Sequence, residues 1–343
     1  MKIIYFGSVP APYQNEFWIE VEKAFNVKTV YLASEQEGHA WKVQDSKNQL
    51  ILSSKWYFGG LFDLLKIIVE FRPDRILIGG YNMKYVLPLV TLLRFSNIKI
   101  IFWLERPLPA KGLKKYLKKI FQKLIFYFVD KIFTIGNDAY FYYSQLHSDV
   151  TNFPYALNCE KFLEKAAKES MSLKFLFVGQ FINRKGVLEA IRGFMMVDEQ
   201  NISFDIVGGG KLNNEVNQLI KKDSRINNLG YIDNKDFPEV MKDYDVFIFP
   251  SRHDGWALTL IEAMSAGLYI LSTRNVSAFN EYILSKEMGL EILTSSEDIK
   301  EKIIWCTRNY HQVIEGGRKN QKFIFSSLSN AKNAASYFKN IVK

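Results

Sequence analysis

Short apolar runs alternate with helix-length amphipathic segments along almost the whole chain, and this alternation most limits what the chain can fold into. In the first half, runs such as 2–7, 27–32 and 98–104 are typical of buried strands. The alternation starts again at residue 174 and continues to about residue 293. Strands that are separated by helices pair in parallel and carry the helices on both faces of the sheet. The sequence therefore predicts an α/β protein with two similar halves.

The size and composition fit a globular protein of two domains. A chain of 343 residues can bury two cores, and 48% apolar with 24% charged residues is ordinary for such proteins. Cys159 and Cys306 lie far apart, which argues against a disulfide framework or a zinc site and for a reducing compartment. The first residues do not make a signal peptide, and no apolar run approaches 18 residues. We therefore expect a cytoplasmic protein without a membrane span.

The stretch 245–267 predicts a strand, a polar loop and a helix in direct succession. Apolar residues 246–249 are followed by Pro250, which cannot donate to a strand ladder. A helix pattern runs from Leu258 to Ala266, and Gly267 stands where a C-cap glycine belongs. In open α/β sheets, such a unit places ligands at the carboxyl ends of the strands.

Two carboxylates and a helix N-terminus flank this loop. Asp254 precedes the helix, and Glu262 lies on its second turn. A helix N-terminus carries about half a positive charge and suits a phosphate group. The amides concerned belong to Ala257, Leu258 and Thr259. The alternative is an ordinary strand-to-helix crossover with two solvated acids, and the stretch alone leaves both open.

Two further loops of the second half follow predicted strands. The loop 179–186 carries the adjacent cations Arg184 and Lys185 between two glycines. The run 208–210 consists of three glycines, which let a backbone approach a ligand closely. A basic surface turn and a common glycine turn are the alternatives.

The stretch 245–267 resembles the Glu-x7-Glu signature of retaining GT-B glycosyltransferases, especially those of sequence family 4. That signature has Pro-Ser, a short turn, Glu-Gly-Phe-Gly, and a helix with a second Glu before Ala-Met-Ala-Ala-Gly. Asp254 stands at the place of the first Glu, and Ala257 at the place of a Gly. The resemblance implies a GT-B fold, with two Rossmann-like domains whose parallel sheets face a central cleft. The matching positions are Pro250, Ser251, Gly255, Glu262, Ala263, Met264, Ala266 and Gly267.

The resemblance also implies how the chain is divided. Residues 1–162 would form an acceptor-binding domain and residues 173–328 a nucleotide-sugar donor-binding domain, with 163–172 as the linker. Residues 329–343 would form a helix that packs back on the first domain.

Most of the implied donor site comes from loops of the second domain. Arg184 and Lys185 match the basic pair that binds the diphosphate, and fixed cations stabilise the charge that grows as this group leaves. Glu262 would accept hydrogen bonds from the ribose hydroxyls, and Asp254 would contact hydroxyls of the donor sugar. Gln180 departs from the usual Arg. The donor-binding candidates besides Glu262 are Gly179, Gln180, Gly208, Gly209, Tyr231, Ile232, Ala257, Leu258 and Thr259, with apolar core positions as the alternative for Tyr231 and Ile232.

A metal is not expected at this site. The sequence Asp243-Tyr244-Asp245 spells the Asp-x-Asp of the metal-using glycosyltransferase fold, but Asp245 leads straight into a strand and no further ligand cluster is visible. The basic pair and the helix end can balance the diphosphate charge. We therefore expect neither a metal nor another cofactor.

The first domain carries the candidates for the acceptor site. Many relatives place a His at the end of its fourth strand, where this chain has Glu105 and Arg106. Glu105 is therefore the candidate to contact the acceptor hydroxyl as a catalytic residue beside Asp254, with a surface ion pair as the alternative. The first strand-to-helix loop faces the cleft in this fold, and its candidates are Ser8, Tyr13, Gln14 and Asn15.

The positive charge of the chain is concentrated in residues 106–131, which hold eight Lys or Arg and one Asp out of a net charge of +9. A basic amphipathic helix suits an anionic membrane surface, and an ordinary domain helix with solvated lysines is the alternative. Both hold if the apolar face packs inward while the lysines contact lipid headgroups. Nucleic acid is less favoured because base-stacking aromatics do not interleave with the lysines. The predicted apolar face is Leu113, Tyr116, Leu117, Ile120, Phe121, Leu124 and Phe128, and the lysines are Lys111, Lys114, Lys115, Lys118, Lys119 and Lys123.

Together these features predict transfer of a sugar, with retained anomeric configuration, from a nucleotide-diphosphate donor to a glycan or lipid-linked acceptor. The implied mechanism is front-face, so that the departing phosphate oxygen helps take the acceptor proton. The expected setting is synthesis of a bacterial surface polysaccharide such as capsule, O-antigen or lipooligosaccharide. A same-fold epimerase or phosphorylase, a catalytically inactive nucleotide-sugar-binding partner and a nucleic-acid binder stay open as alternatives.

Overall fold

The computed structural model describes residues 1–34, 48–52, 57–81, 83, 85–109, 112–162 and 172–342. Contacts divide the chain into two compact units, Met1–Asn158 with Ala331–Lys343, and Cys159–Asn330. The domains predicted from sequence end at 162 and 328, close to these divisions. Of the predicted linker 163–172, only Ser172 belongs to the described residues, and Lys111 of the basic segment lies outside them.

The first unit is built on a sheet of seven described strands in the order β3-β2-β1-β4-β5-β6-β7, and every pair is parallel. The interior strands are buried on nearly all residues, as expected for a parallel sheet with helices on both faces. The strands are β1 Lys2–Gly7, β2 Asn26–Tyr31, β3 Gln49–Ile51, β4 Arg75–Ile78, β5 Lys99–Glu105, β6 Lys131–Ile135 and β7 Val150–Asn152. The helices are α1 Pro12–Glu22, α2 Tyr57–Phe71, α3 Val86–Leu93, α4 Leu113–Phe126, α5 Asn137–Tyr143 and, from the end of the chain, α13 Ala331–Ile341.

The last helix of the chain belongs to the first unit. Helix α13 packs against α1, and the ring of Phe338 lies 5.6 Å from that of Phe17 and 6.0 Å from that of Trp18, centroid to centroid. All three side chains are buried. This aromatic cluster joins the two ends of the chain in one core.

The second unit repeats the architecture with six described strands in the order β10-β9-β8-β11-β12-β13, again all parallel. The strands are β8 Leu173–Val178, β9 Ile202–Val207, β10 Ile226–Gly230, β11 Val246–Phe249, β12 Tyr269–Ser272 and β13 Gly289–Glu291. The helices are α6 Val187–Met195, α7 Asn213–Ile220, α8 Phe237–Met241, α9 Leu258–Ser265, α10 Ser277–Tyr282, α11 Ser296–Arg308 and α12 Tyr310–Ser326. The predicted α/β class with parallel sheets is confirmed.

The strand order places the functional loops. In the second sheet, β8 lies between β9 and β11, in register with β9 from Leu173 beside Ile202 to Val178 beside Val207. The order of the strands reverses between β8 and β11, and ligands of open α/β sheets bind outside the carboxyl ends of the strands at such a point. The loops 179–186 and 250–257 follow these two strands directly.

Helix α4 decides between the two alternatives for its apolar face. The alternative of an ordinary domain helix has the face from Leu113 to Leu124 packed inward, but these side chains are mostly exposed. The helix instead buries Gln122, Ile125 and Phe126. Gln122 can be buried because its Nε2 donates to the Tyr81 hydroxyl at 2.8 Å and its Oε1 accepts from the Tyr142 hydroxyl at 2.7 Å. The alternative in which the apolar face packs inward is therefore wrong for most of its members.

Candidate functional site

The loop after β8 carries the two adjacent cations of the site. Asn183–Lys185 form a 3₁₀ turn that presents Arg184 and Lys185, and Gly186 ends the turn with a φ of 72°. A Cβ at Gly186 would lie 2.4 Å from the carbonyl oxygen of Pro250, so only glycine fits between the two loops. The cations are therefore held directly beside the end of β11.

The loop after β11 is hydrogen-bonded to the loop after β8. The Arg252 amide donates to the Arg184 carbonyl at 2.8 Å, and the Ser251 hydroxyl lies 3.2 Å from the same oxygen. The Thr273 hydroxyl donates to the Ser251 carbonyl at 2.5 Å. Ser251 and Thr273 are buried, so these bonds fix the backbone on which Asp254 is carried.

Asp254 and the basic pair come together in this structure. Lys185 Nζ is hydrogen-bonded to Asp254 Oδ2, and Arg184 Nη1 lies 3.7 Å from the same oxygen. The side chains of Lys185 and Asp254 are each 14% exposed, and that of Arg184 is 40% exposed. Arg184 Nη1 also donates to the His253 carbonyl at 2.6 Å. Two cations thus meet one carboxylate, which leaves this cluster with a net positive charge.

The glycines of the loop after β9 serve different purposes. Gly208 has a φ of 138°, and a Cβ there would lie 2.0 Å from the Gly179 carbonyl oxygen. Gly210 has a φ of 155°, and a Cβ there would lie 2.7 Å from the Phe181 carbonyl oxygen. A Cβ at Gly209 would meet only the Asn213 side chain, at 3.7 Å. Gly208 and Gly210 are therefore required by the packing of the two loops, whereas Gly209 has open space beside it.

The N-terminus of α9 begins at a strained residue. Ala257 has a φ of 68°, in the left-handed region that favours glycine, and it occupies the position where the resembled signature has a Gly. Leu258 and Thr259 form the first turn of the helix and are half-buried. The positive φ turns the chain from the loop into the helix directly after Asp254.

Glu262 is held inside the unit by a residue that the sequence did not single out. Its side chain is only 5% exposed, and its Oε1 accepts from Asn234 Nδ2 at 2.7 Å. Asn234 begins the 3₁₀ turn Asn234–Asp236 that follows β10. A short polar turn after a strand was the only available signal for Asn234. The reading of Glu262 as a solvated acid is wrong, because the second turn of α9 faces the core.

Tyr231 and Ile232 lie just after β10, and Gln180 follows the end of β8. Tyr231 is exposed and Ile232 and Gln180 are half-buried, so the alternative that Tyr231 is a core residue is wrong. Partial burial and the nearby Asp233 raise the pKa of the Tyr231 hydroxyl. Tyr231 stands three residues before Asn234 in the chain, and aromatic rings of this kind stack on planar groups.

The acceptor-site candidates belong to the first unit. A cavity of about 500 Å³ opens at the carboxyl ends of β4 and β5 and is lined by Glu105, Arg106 and Tyr155 among others. The Tyr13 ring lies 4.9 Å from the Tyr155 ring, and burial and then the Glu105 charge raise the pKa of Tyr13. Glu105 and Tyr13 therefore face the same region.

The other candidates of the first loop lie in different surroundings. Gln14 is buried, and its Nε2 donates to the Tyr5 hydroxyl at 2.9 Å. Its Oε1 is buried without a hydrogen-bond partner in the described part of the chain. Asn15 is half-buried and Ser8 is exposed. The lining residues Tyr155 and Lys118 were not anticipated, since neither follows the strand ends on which the sequence reasoning relied.

The described residues contain no group of three His, Cys, Asp or Glu side chains that could hold a metal ion. None of their helices is both long and apolar enough to cross a bilayer.

Comparison with known proteins places this site in context. Residues 159–320 match the family described as Glycosyl transferases group 1. An uncharacterized glycosyltransferase of Methanocaldococcus jannaschii is 27% identical over 257 residues, which are 67% of this chain and 62% of the relative. The Escherichia coli UDP-Gal:α-D-GlcNAc-diphosphoundecaprenol α-1,3-galactosyltransferase is 30% identical over 129 residues, 35% of this chain and 33% of the relative. The chain thus spans less than two thirds of the length of these relatives.

A solved structure covers the whole chain. The Anabaena protein HepE, crystallised in complex with UDP, aligns with a TM-score of 0.80 over 100% of this chain and 99% of its own, at 11% identity. Likeness at that identity shows the fold, and the predicted GT-B fold is confirmed.

Proposed function

Since residues 159–320 belong to the group 1 glycosyl transferases, we propose that the chain is a retaining glycosyltransferase that uses a nucleotide-diphosphate sugar. The observation that carries this proposal is the convergence of Arg184 and Lys185 on Asp254 at the switch point of the second sheet. A net positive cluster between a glycine loop and a helix N-terminus suits a diphosphate.

Arg184 is the cation with the greatest capacity for the donor. A guanidinium has five N–H donors, and the contacts described above engage Nη1. Lys185 is tied to Asp254 and supplies its charge from a more buried position. As the glycosidic bond breaks, charge grows on the diphosphate, and cations fixed in advance stabilise the transition state more than the ground state. No metal is needed in this proposal.

The rest of the donor fits around this cluster. Glu262 would accept hydrogen bonds from the ribose, with Asn234 orienting one of its oxygens, and Tyr231 would cover the base. Asp254 would hold hydroxyls of the sugar, and Gly179, Gly209 and the α9 amides would border the diphosphate. The acceptor would enter the cavity beside Glu105 in the first unit. In a front-face reaction the departing phosphate oxygen then takes the acceptor proton.

The setting we propose is the cytoplasmic assembly of a bacterial surface polysaccharide on a glycan or lipid-linked acceptor. The E. coli relative is named for galactose transfer to a sugar on diphosphoundecaprenol, which supports a lipid-linked acceptor. The excess of positive charge in residues 106–131 supports peripheral association with an anionic membrane.

One observation also supports a second candidate, a catalytically inactive nucleotide-sugar-binding partner. Asp254 is hydrogen-bonded to Lys185, and it is one methylene shorter than the Glu of the resembled signature. Because Lys185 holds the Asp254 carboxylate in place, the carboxylate can bind sugar hydroxyls only if the sugar lies close to the loop. Turnover of a bound nucleotide-sugar separates the two candidates, and release of a free epimer without acceptor would indicate the epimerase instead.

The test compares two arginines of similar exposure. Arg184→Met removes a cation of the cluster, whereas Arg252→Met removes a neighbouring cation that is 44% exposed and pairs with Glu189. Hydrogen bonds to charged groups contribute about 1.5–3 kcal/mol, so we expect a Kd about 10- to 150-fold weaker for Arg184→Met. The Kd of Arg252→Met should stay within about twofold of that of the parent, a difference of less than about 0.5 kcal/mol.

The measurement is isothermal titration calorimetry with UDP, GDP and ADP. Binding of at least one of them, weakened as described by Arg184→Met alone, supports the proposal. It is overturned if none of the three binds the folded parent, or if both variants bind like the parent.

A further inference from the structure

Helix α4 presents an unusual surface to solvent. Five large apolar side chains on it are each between 54% and 74% exposed. We call them the α4 row, and they are Leu113, Tyr116, Leu117, Ile120 and Leu124. A helix of a globular domain normally turns such a stripe toward its core.

The row points away from the protein. At about 100° per residue, its five members fall within an arc of about 100°, and the buried Gln122, Ile125 and Phe126 lie on the opposite side of the helix. The helix is therefore anchored by its other face, and the row is free to meet another body. Leu108, at the cavity mouth, is likewise exposed.

Lysines border the row. On the same helical projection, Lys119 and Lys123 lie along one edge and Lys118 lies beyond the other, and residues 112–129 contain no acidic residue. Lys119 and Lys123 are exposed. An apolar strip with cations along one edge matches the interface of an anionic bilayer, where apolar side chains enter the acyl boundary and lysines contact headgroups.

A second copy of the chain matches this surface poorly. Pairing two rows would bring the lysines of both helices together without an acid between them, and like charges repel. A bilayer with anionic lipids removes that repulsion. The charge therefore favours a lipid surface over self-association.

Two other helices on the same core cluster also expose apolar side chains. Helices α2 and α3 pack on the same core cluster as α4. They expose Phe62 and Val69 on α2 and Leu92 on α3. Helix α4 differs from them in exposing five such side chains along one face.

The acceptor cavity borders helix α4. Lys118 of α4 lines the cavity and donates from Nζ to the Leu108 carbonyl at 3.1 Å. Burial lowers the pKa of Lys118. The cavity is therefore next to the helix that carries the α4 row, and the exposed Leu108 is part of its lining.

We propose that the α4 row inserts into the headgroup–acyl boundary of an anionic phospholipid bilayer, with Lys119 and Lys123 on the headgroups and the cavity of Glu105 opening beside the lipid. An acceptor joined to a lipid then reaches the cavity without leaving the bilayer. Only this last step rests on the proposed function, because insertion itself needs no nucleotide-sugar.

The test uses two triple variants of the full chain. Leu117→Gln, Ile120→Gln and Leu124→Gln together remove the centre of the row. The matched control replaces three apolar residues of comparable exposure elsewhere, Ile19→Gln, Leu284→Gln and Leu293→Gln. Co-sedimentation with vesicles of phosphatidylglycerol and phosphatidylcholine measures partitioning, and calorimetric UDP binding is measured on the same samples.

We expect the parent to bind phosphatidylglycerol vesicles, and the α4 variant to bind at least about tenfold more weakly while the control stays within about twofold. Added salt should weaken binding of the parent without abolishing it, because insertion is not screened. The proposal is overturned if the parent does not bind the vesicles or if both variants bind them like the parent. It is also overturned if ultracentrifugation shows that the parent is a dimer and that only the α4 variant is a monomer. Loss of UDP binding with intact vesicle binding would instead reject the proposed function.

Discussion

Replacing Gly209 by alanine separates the roles of the glycines in the loop after β9. The added methyl would lie 3.7 Å from Asn213 Oδ1 and 3.9 Å from Nδ2, which is ordinary van der Waals contact. Gly209 is not among the glycines with positive φ, so alanine is not strained there. A Gly→Ala change at a compatible site stabilises by about 0.4–1 kcal/mol through the unfolded chain. We therefore expect an unchanged or slightly higher melting temperature.

Gly208→Ala is the contrasting change in the same loop. Its methyl would lie 2.0 Å from the Gly179 carbonyl oxygen, on a backbone with a φ of 138°. Relief requires the two loops to separate by about 1 Å, and strain of this kind costs about 1–3 kcal/mol. Thermal unfolding should show a clear loss for Gly208→Ala and none for Gly209→Ala.

The affinity of Gly209→Ala for a nucleotide tests whether a diphosphate lies against the Gly209 backbone, as proposed. If it does, the added methyl displaces the diphosphate and removes a hydrogen bond to a charged group, which contributes about 1.5–3 kcal/mol. That corresponds to a Kd for UDP about 10- to 150-fold weaker, measured by calorimetry on a protein that is fully folded. If Gly209→Ala binds UDP within about twofold of the parent, the nucleotide does not approach this backbone and the reasoning is refuted.

Two further predictions concern stability. Ala257→Gly should raise the free energy of unfolding by up to about 1 kcal/mol, because relief of about 1–2 kcal/mol at φ 68° exceeds the entropy of glycine in the unfolded chain; a loss above 1 kcal/mol in urea titration would contradict this. Asp223→Asn should cost about 1–2 kcal/mol at pH 7, because Asp223 accepts from Arg225 Nη2 at 2.7 Å and from its Nε at 3.0 Å. These hydrogen bonds hold the pKa of Asp223 below its usual range, so its stabilisation is present above the unfolded-state pKa of about 3.9 and is lost as the pH falls through the lower folded-state pKa. The difference between variant and parent should therefore shrink below about pH 4, and a constant difference would argue against the ion pair as its cause.

The sequence predicts the two sheets well because parallel strands are buried on both faces and therefore appear as short apolar runs between helices. It assigns no element to residues 294–329, where the structure has α11 and α12. Two adjacent glycines, Gly316 and Gly317, lower the intrinsic preference of α12 for a helix. A Cβ at Gly316 would lie 2.0 Å from the Glu287 carbonyl oxygen, and one at Gly317 would lie 2.1 Å from that of Gly267. Close tertiary packing therefore explains why these two positions are glycines. The local sequence pattern of α12 does not reveal such packing.

The orientation of α4 could not be decided from the sequence for a related reason. Periodicity shows that apolar residues share one face of a helix, but it does not say what covers that face. Helix α4 contacts the core through the side that carries Gln122, and this polar amide can be buried because the Tyr81 and Tyr142 hydroxyls supply its hydrogen-bond partners. These partners of Gln122 lie 20 and 41 residues away in the sequence, whereas helical periodicity relates only residues three or four positions apart.

The candidate site is predictable in its members and not in their pairing. A motif gave Asp254 and the loop after β8 gave Lys185, but their hydrogen bond depends on two strands that are far apart in sequence and adjacent in the sheet. The contact of Glu262 with Asn234 is of the same kind. Loops at the carboxyl ends of neighbouring parallel strands converge, so a topology predicted correctly would have indicated both contacts.

Movement of the loop 250–257 alone cannot make up for the shorter reach of the Asp254 side chain. The Asp254 amide donates to the Asn275 carbonyl at 3.0 Å, and the Ser277 amide donates to the Asp254 carbonyl at 3.3 Å. The backbone of Asp254 is thereby held by the segment that joins β12 to α10, and its carboxylate is held by Lys185. If this carboxylate binds a sugar, the missing methylene must be made up by a donor that lies closer to the loop or by a substituent that reaches toward it. The identity of residue 254 therefore bears on which donor sugar the proposed site accepts, whereas Arg184 and Lys185 bear on whether it accepts a diphosphate at all.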